Sequence, residues 1–110
     1  MSSFNTLISE AKCPVCGNSV TFEVQFKYGS TRQHVYHMDD YLMWGVNDVG
    51  QRDVKRILVE AIGGPCPTCN TEYIDFDVLI EGNRIVGLYP IGTSRPSSTP
   101  EGYEILDEKD

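Results

Sequence analysis

Apolar and polar positions alternate most cleanly over residues 19–28, SVTFEVQFKY. There Val20, Phe22, Val24, Phe26 and Tyr28 are separated by Thr21, Glu23, Gln25 and Lys27. A period of two puts five apolar side chains on one face of a strand and the polar ones on the other. GST (29–31) then reads as a turn. RQHVYHM (32–38) reads as a returning strand, with Arg32, His34, Tyr36 and Met38 on one face and Gln33, Val35 and His37 on the other. Further on, DVLIEGNRIVGLYP (77–90) reads as a hairpin: an apolar run, Gly82-Asn83 at the turn, then Ile85, Val86 and Leu88. Gly and Asn tolerate the positive φ that such tight turns require.

Two segments are less clear. LISEAK (7–12) is short and pairs naturally with the strand that follows it. Residues 53–62 fit a helix, with Val54, Ile57, Leu58 and Ala61 on one face, Asp53 as a cap and Gly63 as a stop. They also fit a strand, in which Lys55, Ile57, Val59 and Ala61 alternate. The strand is preferred, because Ile57-Leu58-Val59 is rich in strand formers and the segment leads into a cysteine pair as 7–12 does. Residues 38–53 hold Trp44, Tyr41, Leu42, Met43 and Val46, followed by Gly and Asn, and read as an irregular packed loop. The patterned body is therefore a mainly β domain over 1–91, built of antiparallel hairpins. Residues 92–110, rich in Pro, Ser and acid, read as a flexible tail. Tyr103–Leu106 (YEIL) is the one stretch of that tail expected to dock, as a short strand or a helical turn.

A chain of 110 residues forms one modest core, and a cross-link helps a domain of this size. The net charge is −7, and the last ten residues, with five acids and one lysine, carry four of those charges. That balance argues against tracking a phosphate backbone, which needs clustered Lys and Arg. The best basic cluster, Arg52, Lys55 and Arg56, is small and reads as a solvated face. No apolar run approaches the roughly 20 residues that span a bilayer. The first twelve residues lack the basic and apolar regions of a signal peptide, which points to the cytoplasm and to reduced thiols.

All four cysteines fall in two matched pairs, Cys13-Pro14-Val15-Cys16-Gly17 and Cys66-Pro67-Thr68-Cys69-Asn70. A two-residue gap lets both sulfurs of a pair reach one ion from a tight turn, and four thiolates suit tetrahedral Zn²⁺. Pro14 and Pro67 stiffen the turn. Gly17 and Asn70 occupy a position that commonly needs positive φ. There their backbone N–H groups are expected to face the sulfurs and offset their charge. Both pairs on one Zn²⁺ per chain is the preferred reading. Two disulfides, a redox Cys-x-x-Cys and iron in place of zinc are the alternatives. Residues 17–65 between the pairs are too many for a compact ribbon and read as an inserted β segment.

At CPVCG and CPTCN the chain resembles the zinc-ribbon or rubredoxin-like knuckle proteins, in which two hairpin tips pinch one metal. The resemblance implies Cys13, Cys16, Cys66 and Cys69 as ligands. The family includes nucleic-acid binders, protein binders and purely structural ribbons. The stretch 22–50 is similar to small bacterial proteins with an N-terminal Cys-Pro-x-Cys, a likeness that implies no activity.

Four cysteine ligands leave no open position for water, so the metal reads as structural and the protein as no enzyme. His34 and His37 are the only histidines. On a strand, positions i and i+3 face opposite ways, so these two read as surface or half-buried side chains. Asp39, Asp40, Asp48 and Asp53 form a carboxylate cluster with His37 or serve as turn formers and caps; the second is the commoner use of Asp in loops. Tyr36, Tyr41 and Trp44 form a candidate interaction surface, the alternative being core packing. The expected function is a protein-interaction module, one that neutralises a basic partner in the reading suggested by charge. A nucleic-acid-binding ribbon or transcription accessory is the rival, and a redox or metal-delivery protein the third.

Overall fold

The computed structural model describes residues 4–31, 33–45, 48–50, 54–92 and 102–107. Nine strands are assigned among them: β1 Asn5–Lys12, β2 Ser19–Phe26, β3 Gly29–Ser30, β4 Val35–His37, β5 Asp48–Val49, β6 Arg56–Gly63, β7 Ile74–Glu81, β8 Arg84–Gly92 and β9 Tyr103–Asp107. The main sheet runs β4-β1-β2-β6-β7-β8, and β9 pairs with β6. None of the described residues forms a helix long and apolar enough to cross a membrane.

Alternation sets the inside of this sheet. Phe22, Val24 and Phe26 of β2, Ile57, Val59 and Ala61 of β6, and Ile74, Phe76, Val78 and Ile80 of β7 are all buried. The helical alternative for 53–62 fails, because β6 pairs with β7 along its whole length from Arg56↔Glu81 to Gly63↔Ile74. Asp53 itself lies outside the described residues. Gly82 and Asn83 adopt φ of 56° and 67°, the two positive values expected of a tight hairpin turn between β7 and β8. β1 pairs antiparallel with β2, as LISEAK suggested, but begins earlier, at Asn5. Residues 103–107 take the strand form: β9 pairs antiparallel with the first half of β6, while β2 pairs with its last three residues.

Two expectations are corrected. GST is not a simple turn, for Gly29–Ser30 forms a two-residue ladder with Asp48–Val49. Nor does 32–38 return as a hairpin partner of β2. Only Val35–His37 is a strand, and it lies parallel to β1, with Leu7 opposite Tyr36. The reason is that β2 has no edge to offer, since β1 takes one side and β6 the other. Asn5 directs the crossover from a fully buried position. Its Nδ2 donates to the Tyr28 carbonyl at 3.0 Å, and its Oδ1 accepts from the His34 N–H at 3.1 Å. The Thr6 N–H adds a bond to the His34 carbonyl. Beyond β4 the chain carries on to the far edge of the sheet. Asp39 N–H donates to the Ile85 carbonyl, Ile85 N–H to that of Asp40, and Leu42 N–H to that of Asn83. The sheet thus curls until its two edges are joined through residues 37–42.

Candidate metal centre

The hairpins β1–β2 and β6–β7 lie side by side through the β2–β6 pairing. Antiparallel order puts the end of β1, the start of β2 and the end of β6 at the same end of the sheet. Both cysteine pairs sit in the connections at that end. Their backbones match residue for residue. Gly17 N–H donates to the Cys13 carbonyl at 2.8 Å, and Cys13 N–H to Asn18 at 2.9 Å. Asn70 N–H donates to Cys66 at 2.8 Å, and Cys66 N–H to Thr71 at 2.9 Å. Gly17 has φ of 80° and Asn70 of 61°, as the residue types suggest.

The four sulfurs lie within 4.8 Å of one another. Cys13 Sγ is 3.8 Å from Cys69 Sγ, and Cys16 Sγ is 3.8 Å from Cys66 Sγ, so both short contacts cross between the hairpins. All four cysteines are free thiols. A tetrahedral shell of thiolates about 2.3 Å from one ion has edges of about 3.8 Å. The cluster can therefore hold a metal ion with little movement. The first cysteine of each pair, Cys13 and Cys66, is buried in the core, and the second, Cys16 and Cys69, is half-buried.

Around the sulfurs the structure departs from expectation. The N–H groups of Gly17 and Asn70 close the turns onto carbonyls, so these residues shape the knuckles. Contacts to sulfur come from other side chains. Thr68 Oγ1 lies 3.0 Å from Cys16 Sγ and 3.1 Å from Cys66 Sγ, and Thr71 Oγ1 lies 3.1 Å from Cys69 Sγ. Asn18 Nδ2 donates to Cys16 at 3.7 Å. Asn18 and Thr71 hold equivalent positions, two residues after the second cysteine of each pair, whereas Thr68 has Val15 as its counterpart in the first pair.

These donors set the thiol chemistry. The Thr68 hydroxyl, and after it the Asn18 backbone N–H, hold the Cys16 thiol below its usual range. Cys66 is drawn down from 9.0 to about 6, chiefly by the same hydroxyl; burial opposes the shift, and the backbone N–H groups of Cys69 and Thr68 add to the lowering. Cys13 moves the other way. The Cys16 backbone N–H pulls it down, but burial and the neighbouring Cys16 and Cys66 thiols together raise it. Two of the four sulfurs are thus held toward the thiolate, the form that binds metal.

The three aromatic candidates do not share a surface. Tyr36 is only 2% exposed, and its hydroxyl accepts the Met43 N–H inside the fold at 3.0 Å. Trp44 packs edge to face on buried Tyr28, with ring centroids 5.5 Å apart, and its Nε1–H donates to Asn83 Oδ1. Only Tyr41, 65% exposed, faces solvent. His34 is half-buried beside Ser30, while the backbone N–H of exposed His37 donates to Asp40 Oδ2 at 2.7 Å. Asp39 pairs with Arg84 at 3.2 Å. Asp40 thus works as a turn former, and among the described residues only the four cysteines cluster as metal ligands. Of the basic candidates, Arg56 faces Glu81 at 3.9 Å and Lys55 is exposed; Arg52 lies outside the described residues.

No protein-family model, no curated protein and no solved structure matches this chain.

Proposed function

We propose that Cys13, Cys16, Cys66 and Cys69 bind one Zn²⁺ per chain as a structural cross-link, in a non-enzymatic, zinc-ribbon-like domain that acts by binding another protein. The observation that carries the metal reading is the pair of matched turns bringing four sulfurs within 4.8 Å at one end of two adjacent hairpins. Four thiolates fill a tetrahedral shell and leave no position for substrate or water, which favours a structural ion. A reducing compartment such as the cytoplasm keeps the thiols available. With zinc bound, the four thiolates and the ion together carry a net −2, so the acidic character of the chain deepens. That character favours a protein partner over a nucleic acid, whose phosphates would be repelled.

The test is metal analysis with thiol counting on anaerobically purified protein. One zinc per chain, with four thiols that react only after chelation, is the expected result. Stoichiometric iron would replace zinc in the same site. Two thiol pairs that titrate freely without metal would move the protein to the redox class. Absence of a mobility shift with DNA or RNA at low salt is expected, and a salt-dependent shift would favour the nucleic-acid reading.

A further inference from the structure

Each knuckle offers the same two kinds of sulfur. Cys13 and Cys66 are buried, and Cys16 and Cys69 are half-buried. The contacts of 3.8 Å join Cys13 to Cys69 and Cys16 to Cys66, across 56 and 50 residues of chain. Each contact therefore sets one sulfur that a small oxidant can reach against one that it cannot.

Disulfide formation by a peroxide uses such a division. The reachable thiol attacks the O–O bond, becomes a sulfenic acid and releases water. The neighbouring thiol then displaces the sulfenic oxygen as a second water and closes the S–S bond. Each disulfide uses one peroxide, which takes two electrons from the sulfurs and leaves as two waters with the two thiol protons. Where the sulfurs are thiolates, those protons come from solvent.

Four cysteines allow three pairings. Cys13–Cys66 with Cys16–Cys69 would join two buried sulfurs, neither of which meets the oxidant. Bridges inside each Cys-Pro-x-Cys would leave the two hairpins untied. They would also close the shortest loops, which restrain the unfolded chain least. Cys13–Cys69 with Cys16–Cys66 gives each bridge one reachable sulfur and spans the long loops. It requires each contact to close from 3.8 Å to about 2.05 Å.

We propose that a peroxide converts the four thiols into two disulfides that cross between the knuckles, Cys13–Cys69 and Cys16–Cys66, so that the sulfurs tie the β1–β2 and β6–β7 hairpins with or without a metal ion. The proposal rests on the reading of the four cysteines as a structural cross-link and adds a second, oxidised form of it. Disulfides leave no thiolate to hold the ion, so oxidation releases it while the sheet stays tied, and reductant restores the site. In a reducing compartment the oxidised form is transient.

The experiment treats anaerobically purified full-length protein with hydrogen peroxide beside a chromophoric chelator that reports ion release. Remaining thiols are then capped, and the cystine peptides are read by mass spectrometry after cleavage without reductant. Partial reduction with stepwise alkylation assigns the partners. All four thiols should disappear as the ion is released, with Cys13 joined to Cys69 and Cys16 to Cys66. The oxidised protein should melt above reduced, chelated protein, and reductant should return the four thiols. Peptides closed within one knuckle, a Cys13–Cys66 bridge, sulfinic acid without disulfide, or an oxidised form that melts below the reduced, chelated one would overturn the proposal. The two readings fail separately. Protein isolated without metal that still forms the crossed bridges overturns the metal reading and keeps this one. One ion per chain, with bridges closed inside each knuckle, keeps the metal reading and overturns this one.

Discussion

Thr68 sets one hydroxyl between two sulfurs, and a hydroxyl has a single proton to give. Thr68→Val removes it while keeping the shape. Loss of such a supporting hydrogen bond typically costs about 10–100-fold in metal affinity, to be measured by competition with a chromophoric chelator. In metal-free protein the same change should return Cys66 from about 6 toward its ordinary 9.0, read as thiolate ultraviolet absorbance. The pH consequence follows. A thiol depressed in the fold contributes stability above its unfolded pKa and loses it as pH falls through the folded value. For Cys66 that window runs from 9.0 down to about 6, so metal-free wild type should lose stability across it more than Thr68→Val does. Cys13, raised in the fold, acts in the opposite sense and withdraws its contribution as pH rises. Asn5 is the other residue on which much turns. Asn5→Ala leaves the Tyr28 carbonyl and the His34 N–H without their buried partner, which should cost about 2–4 kcal/mol in urea unfolding. Gly17 and Asn70 were legible as turn residues because positive φ restricts residue choice. Thr68 and Asn5 were not, since a Thr or Asn in sequence carries no mark of what its side chain reaches.

Among the elements, the β7–β8 hairpin joins the core to the closing segment. Asn83 holds a φ of 67°, accepts the Trp44 indole N–H, and offers its carbonyl to Leu42. Asn83→Ala gives up the indole bond and pays for positive φ with a Cβ residue poorly suited to it. A loss of about 1–2 kcal/mol is expected, with a change in Trp44 fluorescence as the companion signal. The strand β2 could be read from alternation, because it buries one face and the period of two records it; β7 and β8 were read from an apolar run broken at Gly82-Asn83, and β6 fitted a helix as well as a strand. β4 could not be read from alternation. A three-residue strand lacks the length to show a period, and its parallel seat beside β1 depends on which edges remain free. β9 was legible only as a sticky stretch. Its seat on β6 exists because β2 occupies just the last three residues of that edge, and Tyr103 fills it by packing edge to face on Tyr28 at 5.3 Å.

At the scale of the whole molecule, Cys13 and Cys66 belong both to the core cluster and to the sulfur cluster. A bound ion would therefore tie the two central hairpins where they would otherwise end. With zinc bound as proposed, chelation should lower the melting temperature by more than Asn5→Ala or Asn83→Ala does, since structural zinc contributes on the order of 10 kcal/mol. Calorimetry before and after metal removal measures this. A chelated protein that melts unchanged would mean that the curled sheet needs no cross-link.

The sequence by itself determined the strand faces, the β7–β8 turn and the identity of the four clustered cysteines. Each of these is local: a side-chain period, a φ that few residues adopt, a two-residue gap between ligands. Only the tertiary structure decided that the two knuckles meet through the β2–β6 pairing and that Tyr36 lies inside while Tyr41 lies out. Those facts come from register and edge competition between distant strands, where the free energy depends on every partner at once and no single stretch of sequence carries it.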